Sequence, residues 1–93
     1  MFFEASPFFG FGQMEYFVYV LKSDSTAAFY KGMTSDLQKR LEQHNAGKTK
    51  STKGKGPCRM VYQESFGNAE EARAREKYFK TAAGRRFLKS LNL

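Results

Sequence analysis

The chain has 93 residues, with 16 lysines and arginines against 9 aspartates and glutamates, so its formal net charge is +7 with histidine neutral. That length holds one small domain with one modest core, and the charge favours a polyanionic partner such as nucleic acid or an acidic membrane surface. The lone cysteine, Cys58, excludes an intramolecular disulfide, the lone histidine, His44, excludes an ordinary Cys/His zinc cluster, and no stretch approaches the length of a membrane span, so the cytoplasm is the default compartment.

Residues 1–14, MFFEASPFFGFGQM, are rich in phenylalanine but broken by Glu4, Pro7, Gly10 and Gly12, and they lack the basic start and continuous apolar stretch of a signal peptide. A loosely ordered extension is expected here, ahead of a domain over 15–93. It reads either as a mobile tail or as an arm whose phenylalanines cover an edge strand or a neighbouring subunit, and natural translation beginning at Met14 is a third reading.

Tyr16 to Leu21 is an unbroken run of aromatic and aliphatic residues bounded by Lys22-Ser23-Asp24-Ser25, which predicts a strand buried on both faces, hence a central one. Phe29 to Met33 is a second short run, and the polar residues between the two suit a hairpin connection. With Asp24-Ser25 as the turn centre, Tyr19 falls directly opposite Tyr30, and two phenols stand side by side on one face. Gly32 inside a strand marks a bulge or a place where another group comes close.

Ser35 with Gln38 three residues later matches a capping box, and Gly47 stands where a left-handed stop is expected, which predicts a helix from about Asp36 to Ala46. On a 3.6-residue period Leu37, Arg40 and His44 fall in one arc with Leu41 just beyond, so Arg40 shares a face with core leucines. It reads equally as a site residue or as an arginine snorkelling along the core edge.

Residues 47–57, GKTKSTKGKGP, form a basic loop with nothing to bury. Gly47-Lys48-Thr49 is not a nucleotide-binding phosphate loop, because Glu42 stands where its first glycine is needed and a helix precedes where a strand should. Lys48, Lys50, Lys53 and Lys55 either touch phosphates, in a salt-dependent way that carries no sequence information, or belong to a solvated loop. Arg59 to Phe66 reads as a third strand with Met60, Tyr62 and Phe66 on one face. Asn68 with Glu71 opens a helix from about Ala69 to Thr81, in which Glu76 interrupts a stripe of Ala72, Phe79 and Ala83. A carboxylate there pairs with Lys80, Arg73 or Arg40, or holds a metal. Gly84 is expected to break the chain before a last short helix, Arg85 to Leu91, with Phe87, Leu88 and Leu91 inward and Arg85, Arg86 and Lys89 outward.

Phe17-Val18-Tyr19, Tyr30-Lys31-Gly32, an arginine ten residues after the second tyrosine, the phrase RLEQHNAGK, a Gly-Pro pair before the third strand and a glutamate within ARAREKYFK together resemble the GIY-YIG nucleases. The likeness spans about residues 16 to 80 and is strongest to small stand-alone bacterial members similar to the nuclease domain of the UvrC excision-repair subunit. The resemblance implies an α+β fold, a three-stranded antiparallel sheet flanked by helices in the order β-β-α-β-α-α, and metal-dependent hydrolysis of a DNA phosphodiester, in repair or recombination. By position it implies Tyr19, Tyr30, Arg40 and Glu76 as catalytic residues, with Glu76 holding Mg²⁺ or Mn²⁺, Gly32 as the motif glycine, and Gly32 and Lys31 as substrate-binding residues.

Those roles are chemically reasonable. Mg²⁺ commonly takes only one or two protein carboxylates and keeps its waters, and an arginine offers a planar, permanently charged donor to phosphoryl oxygens. A free phenol is only about 0.1% ionised at neutral pH, so a phenol base needs Lys31, Arg40 or a bound metal nearby. Tyr19 is assigned as the base and Tyr30 as its orienting partner. His44, one turn after Arg40, either relays a proton in the same pocket or is a core-edge histidine. The chain departs from the family at Phe17, at Lys31 and at Leu88, where many members carry an asparagine that Asn45 is a candidate to replace. Two functions stay open: a DNA endonuclease, and a nucleic-acid-binding module on the same fold with weak or lost catalysis. The expected partner is the DNA backbone rather than a membrane, and any specificity of so small a domain would come from DNA shape or from a protein partner.

Overall fold

A computed structural model describes residues 15–49, 53–54 and 56–93. The predicted extension, residues 1–14, lies outside the described residues, as do Lys50 and Lys55. The element order is β1 (Tyr16–Ser23), β2 (Phe29–Thr34), α1 (Leu37–Asn45), β3 (Cys58–Phe66), α2 (Ala69–Phe79) and α3 (Ala82–Ser90). The three strands form one antiparallel sheet in the order β2-β1-β3. The chain thus has the α+β fold and β-β-α-β-α-α order expected of it.

β1 is central, and its apolar run is continuous because both of its faces are covered: Val18, Val20 and Leu21 are fully buried and Tyr19 nearly so. Strand residues alternate between faces, and the two core clusters follow that alternation. Tyr19 and Leu21 pack with Cys58, Tyr30, Met60 and the Leu37 and Leu41 side chains of α1. Val18 and Val20 point the other way and pack with Ala72 and Phe79 of α2 and Leu88 of α3. The sheet is therefore sandwiched, with α1 on one face and α2 and α3 on the other.

The hairpin register differs from the expected one. Tyr19 lies opposite Gly32, and Tyr30 lies opposite Leu21. The connection is longer than a two-residue turn: the backbone of Ser23 pairs with Ala28 at 2.9 Å, leaving Asp24 to Ala27 as the loop. The buried Ser23 hydroxyl accepts from the amides of Ser25 (3.2 Å) and Thr26 (3.1 Å), and Ala27 takes a left-handed φ of 62°. A side-chain-supported turn of this kind shifts the register by two residues and so keeps both tyrosines on the α1 face.

β3 also departs from simple alternation. Val20 pairs with Tyr62 but Leu21 with Met60, so Val61 is an extra residue and the strand is bulged. Met60 consequently faces α1, whereas Tyr62 and Phe66 face α2 and α3. The cap of α1 is Asp36 rather than Ser35, its carboxylate accepting from Lys39 N at 3.1 Å, while Gly47 does take the left-handed conformation at φ 77°. Asn68 caps α2 as its spacing predicts, accepting from Glu71 N at 2.8 Å. The break before α3 falls at Lys80-Thr81, with Thr81 as cap, so Gly84 sits inside the helix. Its role is close approach, since a Cβ there would lie 2.6 Å from Phe79 Cα. Leu91 lies past the helix end and is exposed.

One half-buried network has no counterpart in the sequence pattern. Arg75 of α2 makes two hydrogen bonds to the Glu64 carboxylate on β3, at 2.9 and 3.1 Å, and Tyr62 donates to the same carboxylate at 2.5 Å. The Arg75 guanidinium also stacks over the rings of Tyr78, Phe79 and Phe87 at 4.7 to 5.2 Å. Burial pushes the Glu64 carboxyl up, but the bonds from Arg75 and Tyr62 prevail and hold it below the ordinary range. A bidentate pair of this kind ties α2 to β3.

Candidate active site

On the α1 face the Tyr19 side chain lies across Gly32 of the neighbouring strand, where a Cβ would sit 2.7 Å from its Cζ atom. The absent side chain gives the phenol a lane across β2. α1 then supplies two groups one turn apart, since residues four apart share a helix face. Arg40 Nε donates to the Tyr19 hydroxyl at 3.1 Å, and His44 Nε2 lies 2.9 Å from the same oxygen. Arg40 Nη1 also donates to Gln43 Oε1 at 3.2 Å, which fixes the guanidinium plane. The Tyr19 and His44 rings meet edge to face, 5.8 Å between centroids.

An arginine N–H can only donate, so the Tyr19 oxygen accepts in that bond and keeps its own O–H and a second lone pair for His44. With the imidazole proton on Nδ1, His44 Nε2 accepts the Tyr19 O–H, the arrangement a proton relay needs. Burial, with the Arg40 charge second, lowers the His44 pKa, and this outweighs the preference of a helix C-terminus for a cation. The imidazole is therefore neutral at pH 7, as an acceptor must be.

In the unfolded chain His44 takes up a proton near pH ~6.5, and in the folded chain only at lower pH, so between those values the unfolded state binds more protons. Folding stability should be flat above about pH 6.5 and should fall as pH drops through the folded-state value. Thermal unfolding from pH 7.5 to 5 checks this, and His44→Gln should flatten the slope in that window. An unchanged slope would place the acid sensitivity elsewhere.

Among the other expected site residues, Tyr30 shares the α1 face, packed beside Tyr19 and Leu21, and its hydroxyl makes no hydrogen bond among the described residues. Lys31 does not join them. It pairs with Val20, so it projects from the opposite face, toward α3. The alternation of Tyr30-Lys31-Gly32 carried that signal, because the residue between two that share a face must point away. Glu76 is mostly covered, 16% exposed, and bonds Lys80 at 3.2 Å, one of the pairings its helix spacing allowed. It belongs to a helix on the far face of the sheet and is not bonded to Tyr19, Arg40 or His44. Asn45 is also committed, exchanging two hydrogen bonds with the backbone of Cys58 at 2.8 and 3.1 Å, so it pins α1 to β3. Lys48 and Lys53 are exposed.

Sequence reading passed over Gln43, although its place three residues after Arg40 was the available signal. Beside Arg40 lies a polar groove of about 360 Å³ lined by Thr34, Ser35, Asp36, Lys39 and Gln43 as well as Arg40 itself. Arg40 keeps further N–H donors beyond the two it uses on Tyr19 and Gln43, so an oxyanion in that groove meets a fixed cation. No group of three or more His, Cys, Asp or Glu placed to hold a metal occurs among the described residues. A single carboxylate such as Glu76 is the hard oxygen donor that Mg²⁺ or Mn²⁺ accepts with its waters retained, so the donor chemistry fits, with Lys80 as the competing cation. No helix among the described residues is long and apolar enough to cross a membrane.

Comparison with known proteins supplies context for this geometry. The family described as the GIY-YIG catalytic domain matches residues 15–90. A UPF0213 protein of Clostridium perfringens is 45% identical over 65 residues, 69% of each chain. A UPF0213 protein of Staphylococcus haemolyticus is 37% identical over 78 residues, covering 83% of this chain and 94% of that one. The solution NMR structure of a UPF0213 protein from Bacillus halodurans aligns with a TM-score of 0.52 at 34% identity, covering 84% of this chain and 85% of that one.

Proposed function

The chain belongs to the GIY-YIG catalytic domain family, a nuclease superfamily, and from that premise we propose that it is a divalent-metal-dependent endonuclease that nicks DNA, in repair or recombination. The observation that supports the reading most is the Tyr19 hydroxyl held between Arg40 Nε and a neutral His44 Nε2.

A lone phenol is a poor base at neutral pH, because the ionised fraction is about 0.1% for a pKa near 10. The pair removes the difficulty. As water attacks phosphorus, its proton passes to the Tyr19 oxygen while the Tyr19 proton passes to His44, so the phenol stays neutral throughout. The acceptor at the end of the relay is an imidazole whose pKa burial and Arg40 lower, so it is neutral and able to take the proton at the working pH. Arg40 keeps the phenol in line and presents its remaining N–H groups to the phosphoryl oxygens as charge builds on them. Glu76 is the residue that would hold Mg²⁺ or Mn²⁺, an ion that would supply Lewis-acid polarisation of a phosphoryl oxygen.

The test is nicking of supercoiled DNA by purified protein with and without Mg²⁺ or Mn²⁺. Cleavage should appear with the ion and stop with a chelator, and Glu76→Gln should move the ion dependence to higher concentration. Cleavage that ignores the chelator would remove the metal from the proposal. A second reading, a nucleic-acid-binding module without catalysis, draws on the Glu76–Lys80 pair and the far-face position of α2. Binding with no cleavage on any substrate at any ion concentration would favour it.

A further inference from the structure

The face of the sheet turned away from Tyr19 carries a second charged feature. Between the edge strand β2 and α3 lies a groove of about 360 Å³ whose walls include Lys31, Arg85, Arg86 and Lys89, over a floor that includes Phe29 and Leu88. None of these four cations forms an ion pair among the described residues, where the pairs are Arg59–Asp24, Arg75–Glu64 and Lys80–Glu76. Arg85 donates to the backbone carbonyl of Lys80 at 2.8 Å, which holds its guanidinium at the rim. A lysine on an edge strand is commonly a guard against strand pairing. Lys31 does not serve that purpose, because it points across the sheet face into the cationic groove.

We propose that this groove binds a phosphodiester of a nucleic-acid strand, with the adjoining base or sugar resting on Phe29. The composition suits that ligand: planar and flexible cations above, an aromatic and an aliphatic side chain below. Burial, with Arg85 and Lys80 after it, holds the Lys31 ammonium below the ordinary lysine range, so the empty cluster is self-repelling and an oxyanion relieves it. The site lies on the face opposite Tyr19 and needs no hydrolysis there. A strand that reaches both must wrap the β2 edge.

The experiment is done in chelator, so that cleavage plays no part. The isotope-labelled full chain is titrated with a short oligothymidylate while its backbone amide resonances are followed, and affinity is measured against salt. The amides of Phe29, Lys31 and Arg85 to Lys89 should shift. Lys31→Met and Arg86→Gln should each weaken binding roughly tenfold, and each should lower the salt slope by about 1. Lys31→Met should also raise the unfolding midpoint, whereas removing a lysine with a purely structural role would lower it. Arg86 is exposed, so its variant tests the groove even if the Lys31 variant folds badly. Wild-type affinity in both variants, or shifts confined to the Tyr19 face, would overturn the proposal. Inorganic pyrophosphate is the second probe: filling of the groove by pyrophosphate but not by the oligonucleotide would overturn it as a strand site.

Discussion

Tyr19→Phe is expected to reduce nicking by about 10²- to 10⁴-fold, the usual span for loss of a positioned proton-transfer group. The substitution removes one oxygen and almost no volume, so packing against Leu21 and Cys58 persists. It does take from His44 Nε2 and Arg40 Nε the oxygen both of them contact, at a cost of about 1–3 kcal/mol. A small domain with stability of about 5–15 kcal/mol survives that, and circular dichroism will show the fold intact. Comparison with Arg40→Ala separates two roles. If Arg40 serves only to position the phenol, the double variant is no worse than Tyr19→Phe alone. If it also contacts the phosphate, the double variant is worse by a further factor. Retention of activity within a few-fold by Tyr19→Phe would remove the relay from the mechanism.

How far the sequence disclosed this arrangement depended on whether the signal was periodic or conformational. The centrality of β1 followed from an uninterrupted apolar run, and the Asn68 cap from its spacing. The meeting of Arg40 and His44 on one helix face followed from the 3.6-residue period. Register did not follow, because it was set by a four-residue loop in which Ala27, with no glycine's freedom, adopts φ 62°. The bulge at Val61 was equally silent, and it moved Met60 to the α1 face. Lys31 is a different case, since strict alternation already excluded it from the tyrosine face and the motif-based reading overrode that. Glu64 and Arg75 are 11 residues apart on a strand and a helix, so no local pattern joins them. The place of Glu76 was legible as an anomaly in an apolar stripe, and the Lys80 partner as the residue one turn later.

Gly32→Ala should cost about a hundredfold in nicking while leaving a folded protein, because its effect is delivered through Tyr19. The added methyl carbon would stand 2.7 Å from Tyr19 Cζ and 3.2 Å from the ring carbon next to it, closer than carbon atoms approach without displacement. β2 is hydrogen-bonded to β1 along its length, so the ring yields more easily than the strand. That ring is 2% exposed, which leaves it no open side to move into, and overpacking of this kind costs about 1–3 kcal/mol. A displacement of about 1 Å takes the hydroxyl out of line with both His44 and Arg40, and misplacement on that scale is worth about 10² in rate. Gly47→Ala is the control. It too is unfavourable, at φ 77°, but nothing lies within 4 Å of its Cβ, so it should lower the unfolding midpoint and spare the rate of the folded protein. If Gly32→Ala loses stability yet cleaves at the wild-type rate per folded molecule, the glycine serves the sheet rather than the phenol, and the lane across β2 has no part in catalysis.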